Sequence, residues 1–261
     1  MKLKMFVVNA FAKTTFGGNP AAVIVLDKWL SDEHLQQIAG QNNLAETAFV
    51  IPQGDDFAIR WLTPTVEVKL CGHATLASAH IYFNHLDYAR DKITFHSKSG
   101  PLHVSRGKDG TLTLDFPADK LVEITPSGEI ERALKIKPLA VYKSSFDYMV
   151  IARDQAEIEG LDPDFTILNK LPSRGTIVTA KGDEADFVSR CFFPQSGIDE
   201  DPVTGSAHTA MVPYWAEQLN KTKMSAIQLS KRRGYLDCAL KADRVLMSGA
   251  AITYLEGEIF F

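Results

Sequence analysis

The sequence predicts an α+β fold of two pseudo-symmetric domains, each a curved, mostly antiparallel sheet wrapped around a central apolar helix. Three observations predict it. The chain has 261 residues, more than one hydrophobic core usually fills, since domains cluster at about 100–150 residues. Short strand patterns broken by turn residues run through both halves, and each half holds one long helical pattern that is apolar almost all round. The halves also share residues in order: Arg60-Trp61-Leu62-Thr63-Pro64 precedes Cys71-Gly72-His73-Ala74, and Arg190-Cys191-Phe192-Phe193-Pro194 precedes Thr204-Gly205-Ser206-Ala207. From the proline to the helix-opening glycine is 8 residues in the first half and 11 in the second.

Each element has a local reason. KLKMFVVNAF and AAVIVL are β-rich runs joined through Gly17-Gly18-Asn19-Pro20, which is turn chemistry, so they read as paired strands. Ser31 followed by Asp32 and Glu33 is a helix N-cap pattern, with Leu35 and Ile38 at helical spacing. ETAFVI and FAIRWL flank the turn PQGDD as a hairpin, and GHATLASAHIYFNHL reads as a helix opening on Gly72. KITFH, LHVS and TLTLDF are strand-like, and a Pro-punctuated stretch with a short helix follows them. The pattern then restarts with strands LAVYKSS, DYMVIA, TIVTA and DFVSRCFF, the helix GSAHTAMVPYWAEQLN, and strands SAIQLS, GYLDCAL and RVLMSGAAITYLEG. Domain bounds of 1–117 and 118–250 follow from the restart.

Composition narrows the function classes. Hydrophobic residues make up 45% and charged residues 23%, which is the balance of a folded globular chain. Net charge is −4 and the one basic cluster is KRRG at 231–234, so neither a nucleic-acid nor a membrane-surface partner is expected. No apolar run approaches the roughly 18 residues of a membrane span, and the N-terminal apolar run is shorter than a signal-peptide core, so a cytoplasmic location is expected. Cys71, Cys191 and Cys238 are odd in number and widely spaced, which suits free thiols rather than a disulfide framework.

The two central helices carry the chemistry. Each N-terminus presents unpaired amides and the positive end of a dipole, which together favour an anion. If both starts line one cleft, a small carboxylate-bearing molecule fits between them; local side-chain caps on both helices are the alternative. His73 and Ser206 each follow the opening glycine, Gly72 or Gly205, and so occupy equivalent places; Asp201 lies three residues before Thr204. Glu46 sits among Leu44, Ala45, Ala48 and Phe49. Such surroundings would raise its pKa from about 4.3 toward the ~6–7 that suits giving and taking a proton. An exposed Glu at a strand start remains the alternative.

With these residues in hand, FGGNPAAVIVL, NNLAETAFV, LTPTVEVKLCGHATLASAH and FFPQSGIDEDPVTGSAH together resemble the PhzF-like phenazine-biosynthesis family across essentially the whole chain. The resemblance implies two diaminopimelate-epimerase-like domains around a cleft, with 251–261 completing the first, and an isomerase that needs neither cofactor nor metal. It implies Glu46 as the catalytic group that removes and returns a proton. It implies His73, Asp201 and Ser206 as substrate-binding residues, the amides at Gly72 and Gly205 as carboxylate ligands, and a homodimer.

Epimerases and racemases of similar architecture invert a stereocentre with two opposed cysteines. Here Cys71 stands at the first place but Thr204 at the second, and a Thr hydroxyl supplies no thiolate. A cysteine-dependent amino-acid epimerase and a non-catalytic small-molecule binding protein are the competing expectations. His73, His80 and His85 are spaced by seven and five on one helix, not the three or four that gathers metal ligands.

Overall fold

The computed structural model describes residues 2–261 and divides into two compact units. One comprises the chain up to Asp115 together with Ser248–Phe261, the other Phe116–Met247.

In the first unit, β1 (Lys2–Ala10) pairs antiparallel with β2 (Asn19–Val25). Helix α1 (Asp32–Asn42) is capped by the Ser31 hydroxyl and carries the chain across to β3 (Glu46–Gln53), which runs parallel to β2. A parallel neighbour cannot be reached by a tight turn and requires such a crossover. β3 and β4 (Asp56–Leu62) form the expected hairpin, and the two-residue β5 (Glu67–Val68) adds antiparallel to β4. The central helix α2 (Gly72–His85) is the second crossover and leads to β6 (Lys92–Ser97), parallel to β4. β7 (Gly100–Arg106) and β8 (Leu112–Pro117) follow as antiparallel neighbours.

The second unit repeats this path. β9 (Val122–Ile124) and the short helix α3 (Gly128–Leu134) precede β10 (Ala140–Lys143), which pairs antiparallel with β11 (Tyr148–Ile151). Helices α4 (Gln155–Glu159) and α5 (Phe165–Leu168) make the crossover to β12 (Thr176–Lys181), parallel to β11. β12 pairs antiparallel with β13 (Phe187–Phe193), whose partner β14 (Ile198–Asp201) returns through a 3-10 turn at Pro194–Ser196. The central helix α6 (Gly205–Leu219) then crosses to β15 (Lys223–Gln228), parallel to β13, and β16 (Gly234–Lys241) completes the antiparallel pair. β17 (Arg244–Gly249) leads to β18 (Ala251–Phe260).

β18 pairs antiparallel with β1, as β9 pairs with β10, so each unit closes the same edge with a different segment. RVLMSGAAITYLEG, expected as one strand, is two. The Ala250 carbonyl between them accepts from the Ala12 amide and leaves the ladder.

α2 is buried at every residue from Gly72 to Ala79 and again at Ile81, Tyr82 and Phe83. α6 is buried at Gly205, from Ala207 to Val212, and at Trp215 and Ala216. Polar side chains on these helices must therefore find partners inside. Two of them do so by matched devices. Thr75 donates its hydroxyl to the Cys71 carbonyl at 2.5 Å, and His208, four residues after Thr204, donates Nδ1–H to the Thr204 carbonyl at 2.8 Å.

Candidate active site

Helix starts separate into two kinds. The N-caps of α1, α3, α4 and α5 are Ser31, Ser127, Asp154 and Asp164, and each side chain accepts the third amide of its helix. The caps of α2 and α6 are Cys71 and Thr204, and neither makes a side-chain cap hydrogen bond. The local capping that would have made the repeat merely structural is therefore absent from both central helices.

At the start of α2, the backbone places four side chains together. Gly18, at φ +66, turns the chain so closely that a Cβ there would lie 2.3 Å from the Ala10 carbonyl, and this delivers Asn19 as the first residue of β2. Glu46 opens β3 beside it, in register with Ala21. The Asn19 amide donates to His73 Nδ1 at 3.1 Å, and Cys71 Sγ approaches the same nitrogen at 3.5 Å. With Nδ1 accepting, the imidazole carries its proton on Nε2. That nitrogen faces Glu46 Oε2 at 3.2 Å.

Burial pushes His73 down to about 3, so the ring is neutral at any working pH. The Glu46 side chain is 14% exposed against 3% for His73. The arrangement is a glutamate side chain partly within reach of solvent, beside a buried neutral ring with which it makes a close contact but no hydrogen bond.

Glu46, Cys71 and His73 bring one donor atom each within 4.8 Å of one another. Yet Sγ and Oε2 meet opposite nitrogens of the ring, so one ion could bind all three only if the imidazole turned and gave up Asn19. His80 and His85, farther along α2, both meet the Thr253 hydroxyl at 2.9 Å.

At the start of α6, Asp201 is buried and accepts the Thr204 hydroxyl at 2.6 Å, which rules out the solvated turn that Asp before Pro often makes. Gln228 of β15 closes the loop: its Oε1 accepts the Thr204 amide at 2.8 Å and its Nε2 donates to the Asp201 carbonyl at 2.7 Å. The Ser206 hydroxyl accepts from Arg174 Nη2 at 3.0 Å, and Arg174 is in turn held by Asp147. The Thr204 hydroxyl is thus engaged by Asp201. The thiol in this unit nearest in sequence, Cys191, is wholly buried and pushed well above its ordinary pKa by that burial.

Sequence reasoning passed over Asn19, Arg174, Asp147 and Gln228. Asn19 lay in a stretch read only as a turn, and the other three are joined to the site by contacts 24–32 residues away along the chain. Glu200, which borders Asp201, is clamped by Arg190 at 2.7 and 2.9 Å, as Glu67 is by Arg60 at 2.9 and 2.8 Å. Both glutamates stand five residues before a helix-opening glycine. The three-residue difference between the halves therefore falls in the turn between strands, where the 3-10 segment and Gly197 lie.

Comparison with known proteins agrees with this architecture. Residues 8–257 match the family model described as phenazine biosynthesis-like protein, PhzC-PhzF. A Pseudomonas aeruginosa protein named as an uncharacterized isomerase is 50% identical over 260 residues, covering 99% of both chains. The crystal structure of an Enterococcus faecalis protein of the PhzF family superposes with a TM-score of 0.96 at 44% identity, covering 100% of both chains. A hydroxyproline epimerase from Agrobacterium vitis shares the fold alone, with a TM-score of 0.65 at 10% identity over 99% of this chain and 92% of that one. The chain belongs to the PhzC/PhzF family of phenazine biosynthesis-like proteins.

Proposed function

We propose that the protein is a cofactor-independent isomerase of a small carboxylate-bearing substrate, in which Glu46 takes a proton from one carbon and returns it at another. The observation that carries this reading is the Asn19–His73–Glu46 cluster, in which a neutral ring nitrogen lies 3.2 Å from Glu46 Oε2 without a hydrogen bond between them, on a glutamate that solvent can reach. A proton shuttle must exist in both states. A glutamate that is partly buried and still open to solvent is the kind of group that can do so. The helix-start amides at Gly72 in the first unit, and at Gly205 with Asp201 and Ser206 in the second, are each suited to hold an anionic group.

The test is a screen of small cyclic and amino carboxylates in deuterated water, followed by NMR. Label entering a carbon together with a migrated double bond supports the isomerase. Label with inverted configuration points to an epimerase, and no label on any substrate contradicts both.

One observation favours the thiol-dependent epimerase as a second reading: Cys71 Sγ lies 3.5 Å from His73 Nδ1. That reading expects alkylation of Cys71 to abolish activity, and indifference to alkylation removes it. The leading reading also takes the protein as a homodimer, on the support of exposed Phe16, Tyr254, Phe260 and Phe261 in the first unit. A monomeric mass by light scattering contradicts the dimer. The three cysteines are free and buried, which suits the reducing cytoplasm proposed as its location. None of the helices of the described residues is long and apolar enough to cross a membrane.

A further inference from the structure

We infer that Arg174, locked by Asp147, is the residue that makes the start of α6 select a carboxylate over an uncharged group of the same shape. The inference rests on the reading that this helix start touches the substrate.

Arg174 lies in the segment LPSRG between α5 and β12, and its position is over-determined. Its amide donates to the Phe146 carbonyl at 2.8 Å, and Tyr148 donates to the Gly175 carbonyl at 3.0 Å. Gly175 packs so tightly that a Cβ there would stand 2.2 Å from the Phe193 ring and 2.7 Å from the Phe192 carbonyl. The guanidinium carbon then rests 5.5 Å from the Phe146 ring centroid and 5.3 Å from that of Phe193.

Asp147 is fixed just as closely. Its amide donates to the Ser144 hydroxyl at 3.0 Å, and its side chain is 3% exposed. Both carboxylate oxygens go to Arg174, Oδ1 accepting Nε at 2.9 Å and Oδ2 accepting Nη2 at 2.5 Å. A buried ion pair is a poor way to stabilise a fold, because an apolar pair of similar volume usually does as well or better. What it does supply is a guanidinium held in one orientation. Burial is the largest influence and lowers the Arg174 pKa, but the hydrogen bond to Asp147 and the attraction of Asp147 and Asp201 together outweigh it and keep the group above its ordinary range, so the charge is permanent.

The consequence falls on Ser206. A guanidinium only donates, so the Ser206 oxygen must accept from Nη2, and the serine's own hydrogen is turned toward another acceptor. Nη1 takes no protein acceptor among the described residues, and the Arg174 side chain remains 34% exposed. Nη1 and the Ser206 hydroxyl hydrogen are then two donors, one of them on a cation, that favour an incoming acceptor. Of the two nearby carboxylates, Asp147 is taken up by Arg174 and Asp201 holds the Thr204 hydroxyl. A carboxylate satisfies the donors; a carboxamide turns an N–H into one of them or leaves it unpaired. The equivalent place at α2 is His73, neutral and beside the Glu46 carboxylate, so the two helix starts differ in charge where the repeat makes them alike.

The test is protein-observed NMR titration of the full chain with benzoate, cyclohexanecarboxylate and 2-aminobenzoate, each beside its own carboxamide. The wild type is expected to bind at least one carboxylate tenfold or more tighter than its amide. Arg174→Met should erase that ratio, Arg174→Lys should restore part of it, and Ser206→Ala combined with Arg174→Met should lose no more than Arg174→Met alone. A merely structural arginine would lower the thermal midpoint and leave the ratio unchanged. If Arg174→Met does not fold with Asp147 left unpaired, the paired change Arg174→Gln with Asp147→Asn carries the same reading.

A ratio within twofold of wild type in the variant, or no preference in the wild type, overturns the inference and leaves the Glu46 chemistry standing. Proton exchange untouched by Glu46→Gln, with the carboxylate preference intact, overturns the function and leaves this inference standing.

Discussion

Neutral histidine is the residue-scale device on which the site depends. His73 is held near 3 by burial, so its ring stays uncharged, with Nδ1 accepting from Asn19. We predict that its ring 15N shifts stay those of the Nε2–H tautomer from pH 5 to 8; a midpoint near 6.5 would contradict the assignment. His208 is likewise pushed down by burial, to about 4. Because its folded pKa lies below the unfolded value of about 6.5, the unfolded chain binds the extra proton between those limits. Stability must therefore fall as pH drops from 6.5 toward 4 and level off above. The loss attributable to His208 at pH 4 is about 3 kcal/mol. Urea midpoints of wild type and His208→Gln across that range check this, since the variant should lose less of its own neutral-pH stability on acidification.

Of the candidate site, the side chains Glu46 and His73, which the fold brings together, stood out in sequence because an acidic group in an apolar run and a histidine after a helix-opening glycine are local signals. Arg174 and Gln228 were not, because what defines them is a partner folded back from another element: Asp147 and Ser206 for one, Thr204 for the other.

Among the elements, the arginine–glutamate clamps explain how each central helix is aimed. Arg60 joins β4 to β5 through Glu67, and Arg190 joins β13 to β14 through Glu200, immediately before α2 and α6 respectively. Glu200→Gln is predicted to lower stability by about 1–3 kcal/mol, since it weakens a charge-assisted pair that is largely out of water. It should leave the carboxylate-to-carboxamide ratio at α6 within twofold, and a lost preference would instead make Glu200 part of the binding surface.

The long strands could be read from β-rich runs between turn residues, and both central helices from their almost all-round apolar character after an opening glycine. β5 and β14 could not, being two and four residues long and set by pairing rather than pattern. α4 and α5 carried readable Asp caps at Asp154 and Asp164, but at five and four residues they are too short to show a helical period.

For the whole molecule, the repeat extends beyond residues to the order of pairings. Antiparallel, parallel, antiparallel, antiparallel and then a central-helix crossover to a parallel neighbour recur from β1 to β6 and from β10 to β15. The C-terminal strand is the exception in sequence order, since β18 closes the edge at β1 from the far end of the chain. Truncation after Gly249 is predicted to strip β1 of that neighbour and to lower hydrogen-exchange protection in β1 and β2 at least tenfold, while β12 and β13 keep theirs. Unchanged protection in β1 would show that β18 contributes little to the first unit.

The central claim is that Glu46 moves the proton. Its most direct test is Glu46→Gln assayed in deuterated water with a substrate found by the screen, reading binding and label uptake in the same sample. Binding is predicted to stay within about threefold of wild type while uptake falls by at least ~10². Uptake near the wild-type rate, with binding intact, would contradict it.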